Sequence, residues 1–334
     1  MKIDMFNHVF PRTFFDRHIL GGKDILKRMA NATVIVDLDY RFRVLDEFGD
    51  VRQVITLGQP PIEALGGPDA SPAIAREAND GLAELVRRHP DRFLAFAASL
   101  PLNNVDASIR EMERAIDQLG AKGVMIYTNV GGQPLDAPQF RPFFDEVARR
   151  DVLVWMHPAR GASMTDYLAE QTSMFEIWWA LGWPYETSAA MARLVFSGLF
   201  DRHPHIRIIT HHLGGLVPYL EGRVGHGWDQ LGVRTSTADY GAVLKSLKKR
   251  PLDYFHDFYA DCAVFGAAGA TRCGVDFFGL DRVVFASDMP FDPTPGLYMR
   301  ETIRCIEGLG LPSEDKERIY RGNAERLMGI VAAP

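Results

Sequence analysis

The chain has 334 residues, 47% hydrophobic and 24% charged, with a formal net charge of −6. That apolar content buries a large core and excludes the disordered and fibrous classes. An acidic balance without a basic run argues against nucleic acid and anionic membranes as partners. Cys262, Cys273 and Cys305 are few and odd in number, which offers no disulfide framework or thiolate zinc knot and fits a reducing, cytoplasmic setting. We read no signal peptide and no apolar run long enough for a membrane span.

In chain order, "KIDMFNHV" (2–9) is a short alternating strand that Pro11 closes. Its period of two places Asp4, Phe6 and His8 on one face. A hydrolytic metal site built on a first strand would use histidines at positions 6 and 8, and only His8 is present. Asn7 faces away unless a bulge re-aims it. An insertion at 10–50 precedes a second strand, 51–58. The helix of 71–90 takes Ser71 as its cap and Pro72 as its first residue. After a strand at 92–100, "NVDASIREMERAIDQLG" reads as a helix closed by Gly120.

Further strands are expected at 123–128, 152–158, 206–212, 257–262 and 282–290. Helices are expected at 138–150, 186–203, 239–249, 266–278, 296–308 and 313–328. The basic "LKSLKKR" (244–250) is a solvated helix face. A second insertion, 159–185, is rich in aromatics and follows the fifth strand, as a lid or subunit contact over the site.

Strands as apolar as Val152 to Met156 require cover on both faces, as in a parallel sheet wrapped by helices. Eight strand–helix alternations point to one closed α/β (β/α)8 TIM barrel over 1–334, with insertions after strands one and five. A doubly wound sheet would display a glycine-rich phosphate loop after its first strand, and "NHVFPRTFF" is not one.

Active sites of such barrels lie at the C-terminal strand ends. His8, His157, the pair His211 and His212, and Asp288 all end strands, and imidazoles converging with a carboxylate make a divalent-metal site. His89, His203 and His205 precede strands and belong to the opposite end.

These segments, with "GWPYETSAAMARLVFSGLFDRHPHIRI", "THHLGGLVPYLEGRVGHG", "VVFASDMPF" and "RGNAERLMG", resemble the amidohydrolase-related family typified by aminocarboxymuconate-semialdehyde decarboxylase and including resorcylate-type decarboxylases. The resemblance spans nearly the whole chain and implies the same barrel. It implies His8, His157 and Asp288 as metal ligands, with His212 rather than His211 as the proton-handling histidine and Asp288 joining in catalysis. It also implies Arg223 as a substrate-carboxylate partner, in some relatives across a dimer interface, and Trp178 and Trp179 as stacking surfaces.

Arg160 is a second candidate carboxylate partner. Phe6 departs from the family's first-strand D-x-H-x-H motif, because its ring cannot ligate. The expectation is a homodimeric carboxy-lyase acting on a small aromatic or enol carboxylic acid. It would use one divalent metal, zinc before manganese or iron, and no organic cofactor. Metal-dependent hydrolysis of an amide, lactone or dicarbonyl is the runner-up, and a metal-free ligand-binding barrel the third reading.

Overall fold

The structure is a computed structural model that describes residues 1–20 and 33–330. Part of the first expected insertion (21–32) and the last four residues lie outside the described residues.

Strands Val51–Leu57, Phe93–Ser99, Gly123–Tyr127, Leu153–His157, Arg207–Thr210, Tyr259–Asp261 and Val283–Val284 run parallel, each paired with the next. The first barrel strand comes in two pieces, Lys2–Asp4 and His8–Val9, both paired with Val51–Leu57. Asp4 pairs with Gln53 and His8 with Thr56, so four steps on one strand match three on its neighbour. One extra residue is absorbed at 5–7. This bulge ends the regular alternation that placed Asp4, Phe6 and His8 on one face.

Backbone bonds then join the first strand to the last. Met5 N–H donates to Phe285 O (2.9 Å), Asp288 N–H to Phe6 O (2.9 Å) and His8 N–H to Met289 O (2.8 Å). The sheet therefore closes on itself as the expected (β/α)8 barrel.

The helical layer follows the sequence with shifted ends. Val105–Leu119 is capped by Asn104, whose Oδ1 accepts from Ala107 N–H (3.1 Å), and it ends on Gly120 at φ 79°, a left-handed position suited to glycine. Its buried residues Ala107, Ser108, Glu111, Met112 and Ala115 form one helical stripe. The helix at Ser71–Arg88 corrects one expectation: Ala70 holds the cap position. Ser71 begins the helix and its hydroxyl donates to Asn103 Oδ1 instead (2.7 Å).

The helix expected from 186 starts earlier, at Gly182–Phe196, and a short one at Ile177–Ala180 lies inside the aromatic insertion. In the interior, fully buried Val54, Ile55, Val124, Ile208 and Ile209 each contribute about 1.5–3 kcal/mol by leaving water. Trp155 crosses that interior, donating its indole N–H to Met5 O at the bulge (2.7 Å). Among the described residues no helix is long and apolar enough to cross a membrane.

Candidate active site

At the C-terminal mouth of the barrel His8, His157, His211 and Asp288, all buried, each offer a ligand atom within 4.8 Å of the others. His8 Nε2 lies 3.2 Å and His211 Nε2 3.3 Å from Asp288 Oδ1. The acceptors around each ring decide its tautomer. His8 Nδ1 faces Leu57 O (3.1 Å) and His157 Nδ1 faces Pro158 O (2.7 Å). His211 Nδ1 faces Asp261 Oδ2 (2.5 Å) and His212 Nδ1 faces Ala263 O (2.7 Å). Carbonyls and carboxylates only accept, so each Nδ1 carries a proton, and the Nε2 of a neutral ring keeps its lone pair. His8 Nε2 is buried with no hydrogen-bond partner. A buried orphan nitrogen facing a carboxylate oxygen and two further imidazoles is a donor set that fits a divalent cation.

Local backbone explains how the rings meet. Adjacent residues on a strand point to opposite faces, yet His211 and His212 stack with centroids 3.6 Å apart. His212, Leu213, Gly214 and Gly215 all have positive φ, at 55°, 50°, 70° and 63°. This left-handed turn, costly outside glycine, brings the second ring round beside the first. A side chain at 215 would meet Pro184 O at 2.2 Å, so glycine is required there by space as well as by φ. Asp288 is also left-handed, at φ 56°.

Beneath His8, buried Arg41 donates to His8 O (2.7 Å), Asn7 Oδ1 (2.6 Å) and Gln53 Oε1 (2.8 Å). Asn7 spends its amide on Asp4 O and Val54 O, so the bulge does not turn it into a ligand.

The amidohydrolase family model matches residues 3–330. The chain belongs to the amidohydrolase family. It is 33% identical to gamma-resorcylate decarboxylase from Rhizobium radiobacter over 98% of both chains. Among solved structures it resembles 2,6-dihydroxybenzoate decarboxylase complexed with 2,6-dihydroxybenzoate, with a TM-score of 0.80, 27% identity and 98% and 99% of the two chains covered. It also resembles a dihydroxybenzoic acid decarboxylase from Polaromonas with bound manganese and 2-nitroresorcinol, with a TM-score of 0.79, 26% identity and 99% and 98% covered.

In this amidohydrolase-family barrel the charges are polarised. Burial alone would raise the Asp288 carboxyl, but the His211 charge and the hydrogen bond from His211 hold it well below the carboxylate range. Burial would lower His211 too, yet Asp261 and Asp288 lift it to about 9. His212 is pushed down to about 4 and His157 well below its ordinary value, in both cases first by burial and then by the His211 charge. The His211–Asp288 pair therefore carries charge between two neutral imidazoles, with a proton on His211 Nε2 that a cation ligated by that nitrogen would displace.

The remaining sequence candidates of this amidohydrolase-family chain divide. Trp183, which the sequence reading missed, is the tryptophan against His157 (5.4 Å between ring centroids), while Trp178 and Trp179 pack behind it at 5.9 and 6.3 Å. Trp183 also donates to Arg160 O (3.0 Å). Arg160 stands 3.9 Å from Glu186. Arg223 is exposed on the helix Glu221–Trp228, in an outer groove lined by Tyr185, Leu220, Trp228 and Tyr240. His203 bonds Asp145 (2.7 Å), in keeping with a structural role.

Proposed function

We propose that the protein is a non-oxidative carboxy-lyase for a small aromatic or enol carboxylic acid, with one divalent cation held by His8, His157 and Asp288. The observation that carries this reading is the convergence of those buried side chains in a chain related over nearly its whole length to gamma-resorcylate decarboxylase. A cation bound there supplies Lewis acidity toward the substrate's carboxylate and a neighbouring oxygen. His212 and Asp288 handle protons. One proton adds to the carbon bearing the carboxylate, the carbon–carbon bond breaks as carbon dioxide leaves, and its electron pair restores the ring or alkene.

His212 suits this work because Ala263 O fixes its Nδ1–H and burial keeps it neutral. Trp183, backed by Trp178 and Trp179, offers a flat wall for a planar substrate, and Arg160 is a carboxylate partner from the same loop. Zinc was the first expectation for the metal; the manganese in the Polaromonas relative makes Mn2+ the first ion to supply.

A second copy of this chain is the proposed partner. Phe175, Leu181, Tyr185, Tyr219 and Val233 are all more than half exposed, and Leu168 fully so. Tyr185 lines the same outer groove as Arg223, and exposed apolar side chains gathered there would mark an association site. Pairing across it would carry Arg223 toward the neighbouring subunit. The free cysteines Cys262, Cys273 and Cys305 support a cytoplasmic location.

The test is metal analysis of protein purified without chelators, then a panel of hydroxybenzoic and enolic acids followed by carbon dioxide release. Stoichiometric metal, with turnover lost to chelation and restored by Mn2+, is expected. Turnover of lactones or dicarbonyls without release from any acid would replace this reading with hydrolysis. A protein with neither metal nor turnover would be a ligand-binding barrel.

A further inference from the structure

Phe6 has no donor atom, yet its ring borders the candidate cation site. Its centroid is 4.0 Å from that of His211, with 22° between the planes, 5.7 Å from His8 and 5.8 Å from His157. His212 stacks on His211 at 3.6 Å; two near-parallel rings this close cannot share one face, so His211 is sandwiched between them. The imidazole plane is therefore fixed from both sides.

Its in-plane rotation is fixed as well. Nδ1–H donates to Asp261 Oδ2 at 2.5 Å. Asp261 Oδ1 in turn accepts from the backbone N–H groups of His212 (3.2 Å) and Ala263 (3.0 Å), so the carboxylate cannot swing away. A carboxylate orienting an imidazole whose other nitrogen faces a cation site is a recurrent outer-sphere arrangement in metal centres.

We propose that His211 is itself a ligand of the divalent cation, so that the sixth strand supplies the donor that position 6 of the first strand lacks. Phe6 and His212 hold the ring plane, and Asp261 holds the tautomer. The assignment rests on the cation-dependent reading given above. The spacing agrees with it. Two donors bound about 2.0–2.1 Å from one tetrahedral ion stand roughly 3.3 Å apart. Against Asp288 Oδ1, His8 Nε2 lies at 3.2 Å and His211 Nε2 at 3.3 Å. The tandem histidines then divide the labour: His211 binds the ion and His212 handles protons.

A spectroscopic count on the unmodified protein tests this without any variant. In the Co2+-loaded protein each ligating imidazole contributes one strongly shifted, exchangeable N–H resonance. His8, His157 and His211 all keep Nδ1–H bonded to protein acceptors, so three such signals are expected. Two signals would overturn the assignment and leave His211 as a neighbour that only positions Asp288.

Variants give an independent reading by Mn2+ affinity and metal content. His211→Ala should weaken Mn2+ binding by about a hundredfold or more, and Asp261→Asn by roughly ten- to a hundredfold. Adding Phe6→His to His211→Ala should recover much of the loss, because it returns a donor to the first strand. Unchanged affinity in His211→Ala also overturns the proposal. Failure of the unmodified protein to bind either Mn2+ or Co2+ overturns the cation reading beneath it, a result distinct from normal binding with two signals. If His211→Ala does not fold, the signal count decides alone.

Discussion

Asp4 and Ser287 are joined twice across the closure of the barrel: Ser287 N–H reaches Asp4 Oδ1 at 3.0 Å and its hydroxyl reaches Oδ2 at 2.7 Å. Gln53 Nε2 adds a third donor at 2.8 Å. Burial pushes the Asp4 carboxyl up, while these donors and Arg41 draw it down. Asp4→Ala leaves three buried donors without an acceptor. We expect a loss of about 3–5 kcal/mol in urea unfolding, and a loss below about 1 kcal/mol would show that the closure does not depend on this carboxylate.

Arg41 is fully buried and lowered to about 10, first by desolvation, so it remains a cation at neutral pH. Arg41→Met would strip donors from His8 O, Asn7 Oδ1 and Gln53 Oε1 together. A loss of about 3 kcal/mol is expected, with weaker Mn2+ binding because the His8 backbone loses its clamp. Arg41→Lys should rescue little, since an ammonium cannot reproduce the fork. Melting with and without Mn2+ separates the two effects; an unchanged Mn2+-induced shift would dismiss the clamp.

His212→Asn removes the proposed proton carrier without touching His8, His157 or Asp288. Turnover should fall about 10²–10⁴-fold, while metal content falls less than in His211→Ala, because Phe6 and Asp261 still hold the His211 ring. A variant that keeps wild-type turnover would remove His212 from the chemistry.

Glu63, on the short helix Ile62–Leu65, is raised to about 7 by burial. A carboxyl raised in the folded state holds a proton that the unfolded chain has already released. Its contribution therefore favours folding below the unfolded value and turns unfavourable as pH rises toward 7. Glu63→Gln should be more stable than the parent at pH 8 by on the order of 2 kcal/mol, the side chain being partly exposed, and nearly equal to it at pH 5. Parallel melting-temperature profiles from pH 5 to 8 would contradict this.

The barrel was legible because its signal is repeated: apolar strands and capped helices alternate along the chain, and several errors of one to four residues at helix ends leave that rhythm intact. His8, His157 and Asp288 were legible as candidates because each follows an apolar strand. What was not legible was the backbone path where the chain departs from a period of two. The bulge at 5–7 has no sequence marker, so Phe6 and His8 both reach the site while Asn7 turns to Arg41 and Asp4. The left-handed turn starting at His212 is flagged only by Gly214 and Gly215. That left the choice between His211 and His212 to motif likeness, whereas the fold brings His211 into the four-residue cluster. Trp183 was overlooked beside Trp178 and Trp179, because helical phase in a short irregular insertion cannot be read from composition. The side of the barrel on which Arg223 lies is likewise a tertiary fact.

The seam that closes the barrel is stitched by the backbone of the same residues that frame the cation site: Asp288 N–H to Phe6 O and His8 N–H to Met289 O. An ion held between His8 and Asp288 would act as a rivet through that join. Demetallation and fraying of the cylinder would then be a single event, and long storage in chelating buffer would age the protein by loosening its first and last staves together.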